Sequence, residues 1–122
     1  MRLFRLIAIV AALGVFVALP SVTSGAESYN AYVACGYRTS KPAATSCPKN
    51  GRIGAFFQSK GATVDYKTCV TFPNGQRKCT QTATAQQGSF YVVKITAGSK
   101  GKLTVRWKVD GIVVAKYSIQ VT

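Results

Sequence analysis

Four cysteines limit what this 122-residue chain can fold into more than any other feature of its sequence. They are Cys35, Cys47, Cys69 and Cys79, so successive cysteines lie 12, 22 and 10 positions apart, and the chain contains no histidine. Zinc sites usually use closely spaced ligand pairs, which this spacing does not provide, so no metal site is predicted. An even number of cysteines in a small exported protein is typical of disulfides, and we predict two.

The N-terminus has the order of features of a secretory signal peptide. Two arginines within the first five residues supply positive charge, the uncharged run Leu6–Leu19 follows, and small residues come next at Ser24–Ala26. A membrane-spanning helix needs about 20 apolar residues, and this run is shorter, which favours a cleaved leader over an anchor. We predict a signal peptide over residues 1–26, cleaved after Ala26 or alternatively after Gly25. The product is expected to be secreted, outside the cytoplasm, without a further membrane span.

Residues 27–122 are expected to form a single domain, because a chain of this length has room for one core. So short a chain buries a limited fraction of its surface, which makes covalent bridges important to its stability. Since only Arg2 and Arg5 are lost with the leader, 14 of the 16 lysines and arginines remain against three acidic residues, a net charge of +11. Such a charge attracts polyanions and anionic surfaces, and it equally serves solubility.

The sequence after the leader predicts an all-β structure, because apolar residues alternate, threonine, valine and tyrosine are frequent, and glycine recurs at short intervals. The longest predicted loop is Gly36–Arg52, which contains several proline and glycine turn signals. Seven strands are expected, at Tyr29–Cys35, Ile53–Gln58, Thr63–Phe72, Gln76–Thr84, Phe90–Thr96, Lys102–Lys108 and Ile112–Val121.

Pro73-Asn74-Gly75 suits a three-residue hairpin loop, because proline presets the first turn position and glycine adopts the left-handed conformation of a bulge. Counting outward from this loop places Cys69 opposite Cys79 at a non-hydrogen-bonded pair, where Cα atoms come closest. This geometry favours a Cys69–Cys79 disulfide and leaves Cys35 to pair with Cys47 by elimination. A two-residue Asn-Gly turn would instead shift the register by one and put the two hairpin cysteines beside each other.

A second hairpin is predicted near the C-terminus. Apolar residues alternate with polar ones over 103–107 and again over 113–121. The two apolar rows share one face only if the loop between them has an odd number of residues. Val109-Asp110-Gly111 provides three, with the glycine at the left-handed position. We therefore expect Trp107 to lie opposite Val113.

The segment Gly101–Gly111, with the sequence GKLTVRWKVDG, and its continuation to Val121 resemble the closing hairpin of immunoglobulin-like domains in secreted bacterial proteins. The resemblance extends over Thr63–Thr122. It implies a small sandwich of two antiparallel sheets. Proteins of this broad class mostly bind or act as spacers, and the resemblance carries no functional residue over to this chain.

Catalytic chemistry is poorly represented in the sequence. The usual general base near neutral pH is missing because there is no histidine. A pair of carboxylates flanking a bond is not available either, since Glu27 lies at the predicted new terminus and Asp110 in a turn. Disulfide formation leaves no free thiolate, and no P-loop or dinucleotide fingerprint is present. We therefore predict a protein that is not an enzyme and that binds no cofactor.

In the predicted register, four basic residues share the outward face of the last hairpin, with two apolar residues between them. Two further basic residues mark the return strand of the first hairpin. Basic side chains interleaved with apolar ones bind anionic polymers or proteins, but their stems also simply cover apolar surface. Trp107 and Tyr117 are expected to face inward, which does not favour single-stranded nucleic acid as a ligand. The candidate binding surface consists of Lys102, Arg106, Lys108, Ile112, Val114, Lys116, Arg77 and Lys78.

Three functions are compatible with these features. The first, which we favour, is a secreted, monomeric, non-enzymatic module that binds a protein or an anionic polymer of the cell envelope. The second is a cationic effector that attaches to foreign anionic surfaces, as an antimicrobial or a toxin does. The third is an inhibitor of secreted proteases that uses a disulfide-held loop such as Gly36–Arg52.

Overall fold

A computed structural model describes residues 28–122, and the predicted leader at 1–26 lies outside the described residues. Within this range, no helix is long and apolar enough to cross a membrane. Nine strands make up the regular structure of the same range. In chain order they are β1 (Tyr29–Ala34), β2 (Ser46–Cys47), β3 (Ile53–Ser59), β4 (Val64–Thr71), β5 (Arg77–Cys79), β6 (Ala83–Ala85), β7 (Phe90–Ile95), β8 (Gly101–Val109) and β9 (Ile112–Val121).

The strands form two sheets that pack against each other. The larger sheet has the order β2-β9-β8-β4-β5, with β6 also paired to β4, and the smaller sheet has the order β1-β3-β7. All pairings are antiparallel except that β2 runs parallel to the end of β9. The predicted class, an all-β sandwich of two sheets with two disulfides, is confirmed.

The core lies between the sheets and is built from the inward-facing residues of each strand. Trp107 of β8 is fully buried, as predicted, and Phe57 of β3 stacks on Tyr66 of β4 with 4.4 Å between ring centroids. This stack joins the two sheets, because the rings come from different sheets. Burial raises the pKa of the Tyr66 hydroxyl, since the interior disfavours the charged phenolate, and the neighbouring Tyr91 raises it further.

Two of the predicted elements differ from the structure. The predicted strand Gln76–Thr84 is interrupted, because β5 and β6 both pair with β4 in registers that differ by one residue. At the interruption the Thr80 N–H donates to the Thr68 carbonyl at 2.9 Å, and the Thr80 hydroxyl accepts from the Thr68 N–H at 3.1 Å. The predicted loop Gly36–Arg52 contains β2, a two-residue strand too short to show an alternating pattern.

The predicted loop and disulfide of the first hairpin are confirmed. The Phe72 N–H donates to the Gln76 carbonyl at 2.8 Å, which closes a three-residue loop, and Gly75 has the expected positive φ of 88°. Cys69 and Cys79 lie opposite each other and are bonded, with their Cα atoms 4.0 Å apart. Counting from the hydrogen-bonded pair at the loop, this position falls at a non-hydrogen-bonded pair.

The second predicted disulfide, Cys35–Cys47, is also confirmed and fastens the loop Gly36–Arg52 to the sandwich. Within this loop β2 lies beside the end of β9, and the Lys49 N–H donates to the Thr122 carbonyl at 2.8 Å. The loop is therefore held at its C-terminal half by a covalent bond and by backbone hydrogen bonds. The protease-inhibitor hypothesis, which requires a rigid loop of this kind, stays a prediction.

The turn of the last hairpin is shorter than predicted. Asp110 and Gly111 alone form it, both with positive φ (54° and 78°), and Val109 pairs with Ile112. Two successive residues with positive φ define the tight turn whose twist matches that of the flanking strands. Aspartate followed by glycine favours this turn, because aspartate tolerates the left-handed region better than most residues do.

A one-residue bulge at Val114 follows the turn, so the predicted register of this hairpin is wrong. Trp107 lies opposite Ala115 rather than opposite Val113. With a two-residue turn and no bulge, the odd-numbered apolar row of β9 would face solvent. The bulge moves the row by one residue and returns it to the core. From Ala115 onward the apolar row of β9 faces the core as predicted, whereas Val113, which precedes the bulge, faces outward opposite Lys108.

Candidate functional site

The outward surface of the larger sheet collects basic side chains. On β4 and β8, buried residues that face the core alternate with more exposed residues that point away from it. Strand pairing brings the outward residues of neighbouring strands into common rows. Six cations stand in these rows, and we call them the cationic face: Lys67, Arg77, Lys102, Arg106, Lys108 and Lys116.

Two cross-strand pairs on the cationic face are pairs of like charge. Lys67 of β4 lies directly opposite Lys108 of β8, and Arg106 of β8 lies directly opposite Lys116 of β9. Residues in such positions have Cβ atoms about 4.5–5.5 Å apart, and like charges there destabilise the ladder. The face therefore concentrates positive potential in a way that weakens the pairing of its own strands.

Neutral neighbours hold the centre of the face in place. The Arg106 guanidinium donates to the Thr71 hydroxyl at 3.4 Å, and the hydroxyls of Thr104 and Ser118 are hydrogen-bonded at 2.9 Å. The Cys69–Cys79 disulfide stands in the same row as Arg106 and ties β5 to β4. The cations therefore project from strands that are fixed both covalently and by hydrogen bonds.

The structure brings five of the six predicted basic residues together on the cationic face. These five are Arg77, Lys102, Arg106, Lys108 and Lys116. Lys78 is the exception, because it pairs with the buried residue Val70 and its side chain leaves the sheet on the other side. Its ammonium group lies 5.9 Å from the centroid of the Phe72 ring.

The two apolar residues predicted among these cations lie elsewhere, as a consequence of the turn and the bulge. Ile112 pairs with Val109 beside the turn and is 67% exposed, whereas the bulged Val114 is half-buried against the core. Val113 takes their predicted place, because it pairs with Lys108 on the cationic face and is 45% exposed.

Lys67 is the residue of this face that the sequence analysis missed. Its outward direction follows from the alternation within β4, where its neighbours Tyr66 and Thr68 are buried. Its position beside Lys108 depends on the pairing of β4 with β8. That pairing joins segments far apart in the chain, and no local pattern signals it.

An open depression of about 430 Å³ adjoins the face where Lys67 and Lys108 meet. Asp65 and Asp110 also line this depression, and the Asp65 carboxylate accepts a hydrogen bond from the Thr84 hydroxyl at 2.7 Å. The two carboxylates lower the positive potential at this end of the face, so the potential is greatest over the remaining cations.

Aromatic side chains lie away from the rows of the cationic face. Trp107 is fully buried, and the half-buried Tyr117 donates its hydroxyl to the Ala44 carbonyl at 2.9 Å. On the smaller sheet, Phe56 is buried beneath Tyr32, whose ring stacks on it at 4.9 Å between centroids. The cationic face therefore offers charge and hydrogen-bonding groups rather than a stacking platform.

Residues 28–122 contain no group of three or more histidine, cysteine, aspartate or glutamate side chains placed to hold a metal ion. The four cysteines are all in disulfides. The chemical groups that the cationic face presents are ammonium and guanidinium groups and hydroxyls.

Comparisons with known proteins find similar structures but no sequence family. No family model matches the sequence, and no curated protein matches it. The chain is similar to an immunoglobulin-like protein from Pseudomonas aeruginosa, with a TM-score of 0.45 and 15% identity, over 77% of this chain and 91% of that one. It is also similar to the alkylpurine DNA glycosylase AlkC of Pseudomonas fluorescens, bound to DNA containing an abasic site analogue, with a TM-score of 0.47 and 11% identity. That match covers 77% of this chain and spans 30% of the glycosylase chain.

Proposed function

We propose that this protein is a non-enzymatic, extracytoplasmic binding module that attaches to an anionic polymer of the cell envelope through its cationic face. The observation that carries the proposal is the direct opposition of like charges in Lys67–Lys108 and Arg106–Lys116. Such pairs cost stability in the free protein. A polyanion laid across them neutralises both members of each pair, so binding relieves the repulsion.

The arrangement of the cations suits an extended polymer better than a small anion. They project from four strands of one sheet, and neighbouring strands lie about 4.8 Å apart. A chain with many anionic groups contacts several of these cations at once. Once the first contact has formed, each further contact forms within the same complex and so at a high effective concentration. Individually weak surface ion pairs therefore add up to useful affinity.

The apolar part of this surface favours attachment over membrane disruption. Ile112 and Val113 are the exposed large hydrophobic residues of the described chain, and both adjoin the turn of the last hairpin. Two residues give little apolar area to insert into a bilayer. We therefore expect anionic lipid vesicles to bind the protein without leaking, which separates a binding module from a lytic effector.

The two disulfides support the proposed compartment. Disulfides form and persist in oxidising environments outside the cytoplasm, and both bridges here staple segments of a small sandwich. The predicted leader points to the same destination. An extracytoplasmic location would bring the protein to the polymers of the cell envelope that it is proposed to bind.

The proposal is tested by binding to dextran sulfate, with uncharged dextran for comparison, at roughly physiological ionic strength. The protein is purified after expression of the full 122-residue sequence. Reversing two charges of the face with Lys108→Glu and Lys116→Glu should weaken binding by about tenfold or more, a change of about 1.4 kcal/mol. Uncharged dextran should not bind.

A matched control reverses two exposed lysines outside the larger sheet, Lys49→Glu and Lys60→Glu, which changes the net charge by the same amount. This variant should lose less than about threefold in affinity, because its cations are not on the face. Equal losses in the two variants would show that net charge alone is responsible, and the assigned surface would then be wrong.

A further inference from the structure

An open groove separates the two sheets along one side of the sandwich. β5 ends the larger sheet and β7 ends the smaller one, so each has one backbone edge without a strand partner among residues 28–122. Lys78–Thr80 line one wall of the groove and Val93–Thr96 line the other. Consecutive residues of a strand point to opposite faces of the sheet. A groove wall lined by consecutive residues therefore exposes the backbone edge of the strand as well as side chains.

The floor of the groove is apolar and contains one unpartnered polar group. Thr68, Val70 and Phe72, every second residue from β4 onward, line this floor. Thr68 is fully buried, and its hydroxyl has no hydrogen-bond partner in the described part of the chain. A buried hydroxyl in this condition lowers stability. A peptide group of a chain lying in the groove would supply the missing partner.

The groove carries a positive charge at its rim, and it is long enough for an extended ligand. Lys78 is exposed and lines the groove, with its ammonium group 5.9 Å from the centroid of the Phe72 ring on the floor. Lys94 of the opposite wall alternates with the inward-facing Val93 and Ile95, and its ammonium group lies outside the groove, 5.2 Å from the centroid of the Tyr37 ring. The cavity of about 280 Å³ continues into a second depression of about 290 Å³, with which it shares Phe72, Lys78 and Thr96. A ligand that fills both is extended, and an acidic group on it is complementary to Lys78, which lines both depressions.

We propose that this groove binds an extended acidic peptide, which adds as a strand to the open edges of β5 and β7. Unpaired strand edges are templates for such addition. Backbone hydrogen bonds to the edges provide affinity, and alternate side chains reach the apolar floor. An acidic side chain of the peptide pairs with Lys78. This site goes beyond the polyanion-binding role, because it lies on the other side of the larger sheet and takes a different ligand.

The probe for this site is an end-blocked octapeptide of alternating valine and glutamate, with alternating valine and lysine as the matched control. Amide chemical shifts and hydrogen exchange are measured on the protein expressed from its full sequence. The acidic peptide should slow exchange at residues of β7 and β5 and shift the signals of Thr68 and Thr96. The basic peptide should do neither, because it carries the charge of the rim.

Two variants separate this site from the cationic face. Thr68→Val keeps the side-chain shape and removes the hydroxyl, so peptide affinity should fall about fivefold, within the range for one lost hydrogen bond. The thermal midpoint should not fall, since an unpartnered hydroxyl is removed, and binding to dextran sulfate should not change. Charge reversal by Lys78→Glu should abolish the preference for the acidic peptide, whereas the matched reversal Lys49→Glu should preserve it.

Four results would overturn the proposal. They are an absence of slowed exchange at both edges, equal binding of the two octapeptides, peptide-induced shifts confined to the cationic face, and protection of the edges that rises with protein concentration without peptide. The last result would identify a second copy of this chain as the occupant. None of these four results bears on the dextran sulfate experiment, so either proposal can fail while the other holds.

Discussion

Gly54 shows how closely one residue is constrained by its neighbours on the smaller sheet. A Cβ atom added there would collide with the Gly36 carbonyl oxygen and approach the Phe56 ring to 2.9 Å and Val92 to 3.1 Å. Glycine inside a strand often marks such a close approach of backbone. Gly54→Ala should therefore lower the free energy of unfolding by about 1–3 kcal/mol, the usual cost of overpacking. Urea denaturation measures the difference.

Gly61 provides the matched control for this substitution. No atom lies within 4 Å of a Cβ built there, and its φ is not in the left-handed region. Gly61→Ala should change the free energy of unfolding by no more than about 0.5 kcal/mol. If both variants unfolded at the same urea concentration, steric crowding at Gly54 would not be the reason for glycine there.

Among the elements, the bulge of β9 makes a sharp prediction about deletion. Val114 is the extra residue between Val113, which pairs with Lys108, and Ala115, which pairs with Trp107. Deleting Val114 leaves a two-residue turn and a regular ladder with the same downstream pairing. The variant should fold and lose about 1 kcal/mol or less, because Val114 is only half-buried. Thermal unfolding and the cross-strand amide pattern test this.

Deletion of Ser118 is the contrasting case. It lies in the regular part of the ladder opposite Thr104, with no bulge to absorb the change. Its removal would turn the buried Ile119 and Val121 toward solvent, since one residue reverses the facing of everything beyond it. We expect this variant to fail to fold. Comparable stability of the two deletions would contradict the role assigned to the bulge.

Features of the strands and turns could be predicted from the sequence where they depend on contacts between neighbouring segments of the chain. The Cys69–Cys79 bridge follows from one turn and a count along two adjacent strands, so it is readable from the residues between them. The bulge at Val114 is not, because a three-residue loop and a two-residue turn with a bulge give the apolar rows the same facing. Lys67 and β2 depend on partners distant in sequence, which alternation does not identify.

At the scale of the whole molecule, the net charge predicts an unusual response to salt. Repulsion within the cationic face opposes folding, and salt screens it. Each of the pairs Lys67–Lys108 and Arg106–Lys116 should cost about 0.2–1 kcal/mol. Raising NaCl from roughly 20 mM to 500 mM should therefore increase the thermal midpoint by about 2–8 °C, given the size of the domain. Differential scanning calorimetry measures the midpoint.

Lys116→Glu converts the Arg106–Lys116 pair into an attractive one, and Lys116 does not line the depression that contains Asp65 and Asp110. The variant should be more stable than the parent at low salt and should gain less from added NaCl, while its binding to dextran sulfate weakens. Lys49→Glu, which reverses a lysine outside the strands, should retain most of the salt response. A thermal midpoint that does not rise with NaCl would show that repulsion on this face is not a significant term in stability.

The position of the last residues of β9 has a mechanical consequence. They lie between β8 on one side and β2 on the other, and the Thr122 N–H donates to the Cys47 carbonyl at 2.9 Å. Traction along β9 would load the bonds on both sides together, as in shear, instead of opening them one at a time. Because Cys47 is bonded to Cys35 beside β1, the pull is carried through a covalent link to the opposite sheet. A molecule tethered at this end would transmit tension through the whole sandwich rather than unravel from its final strand.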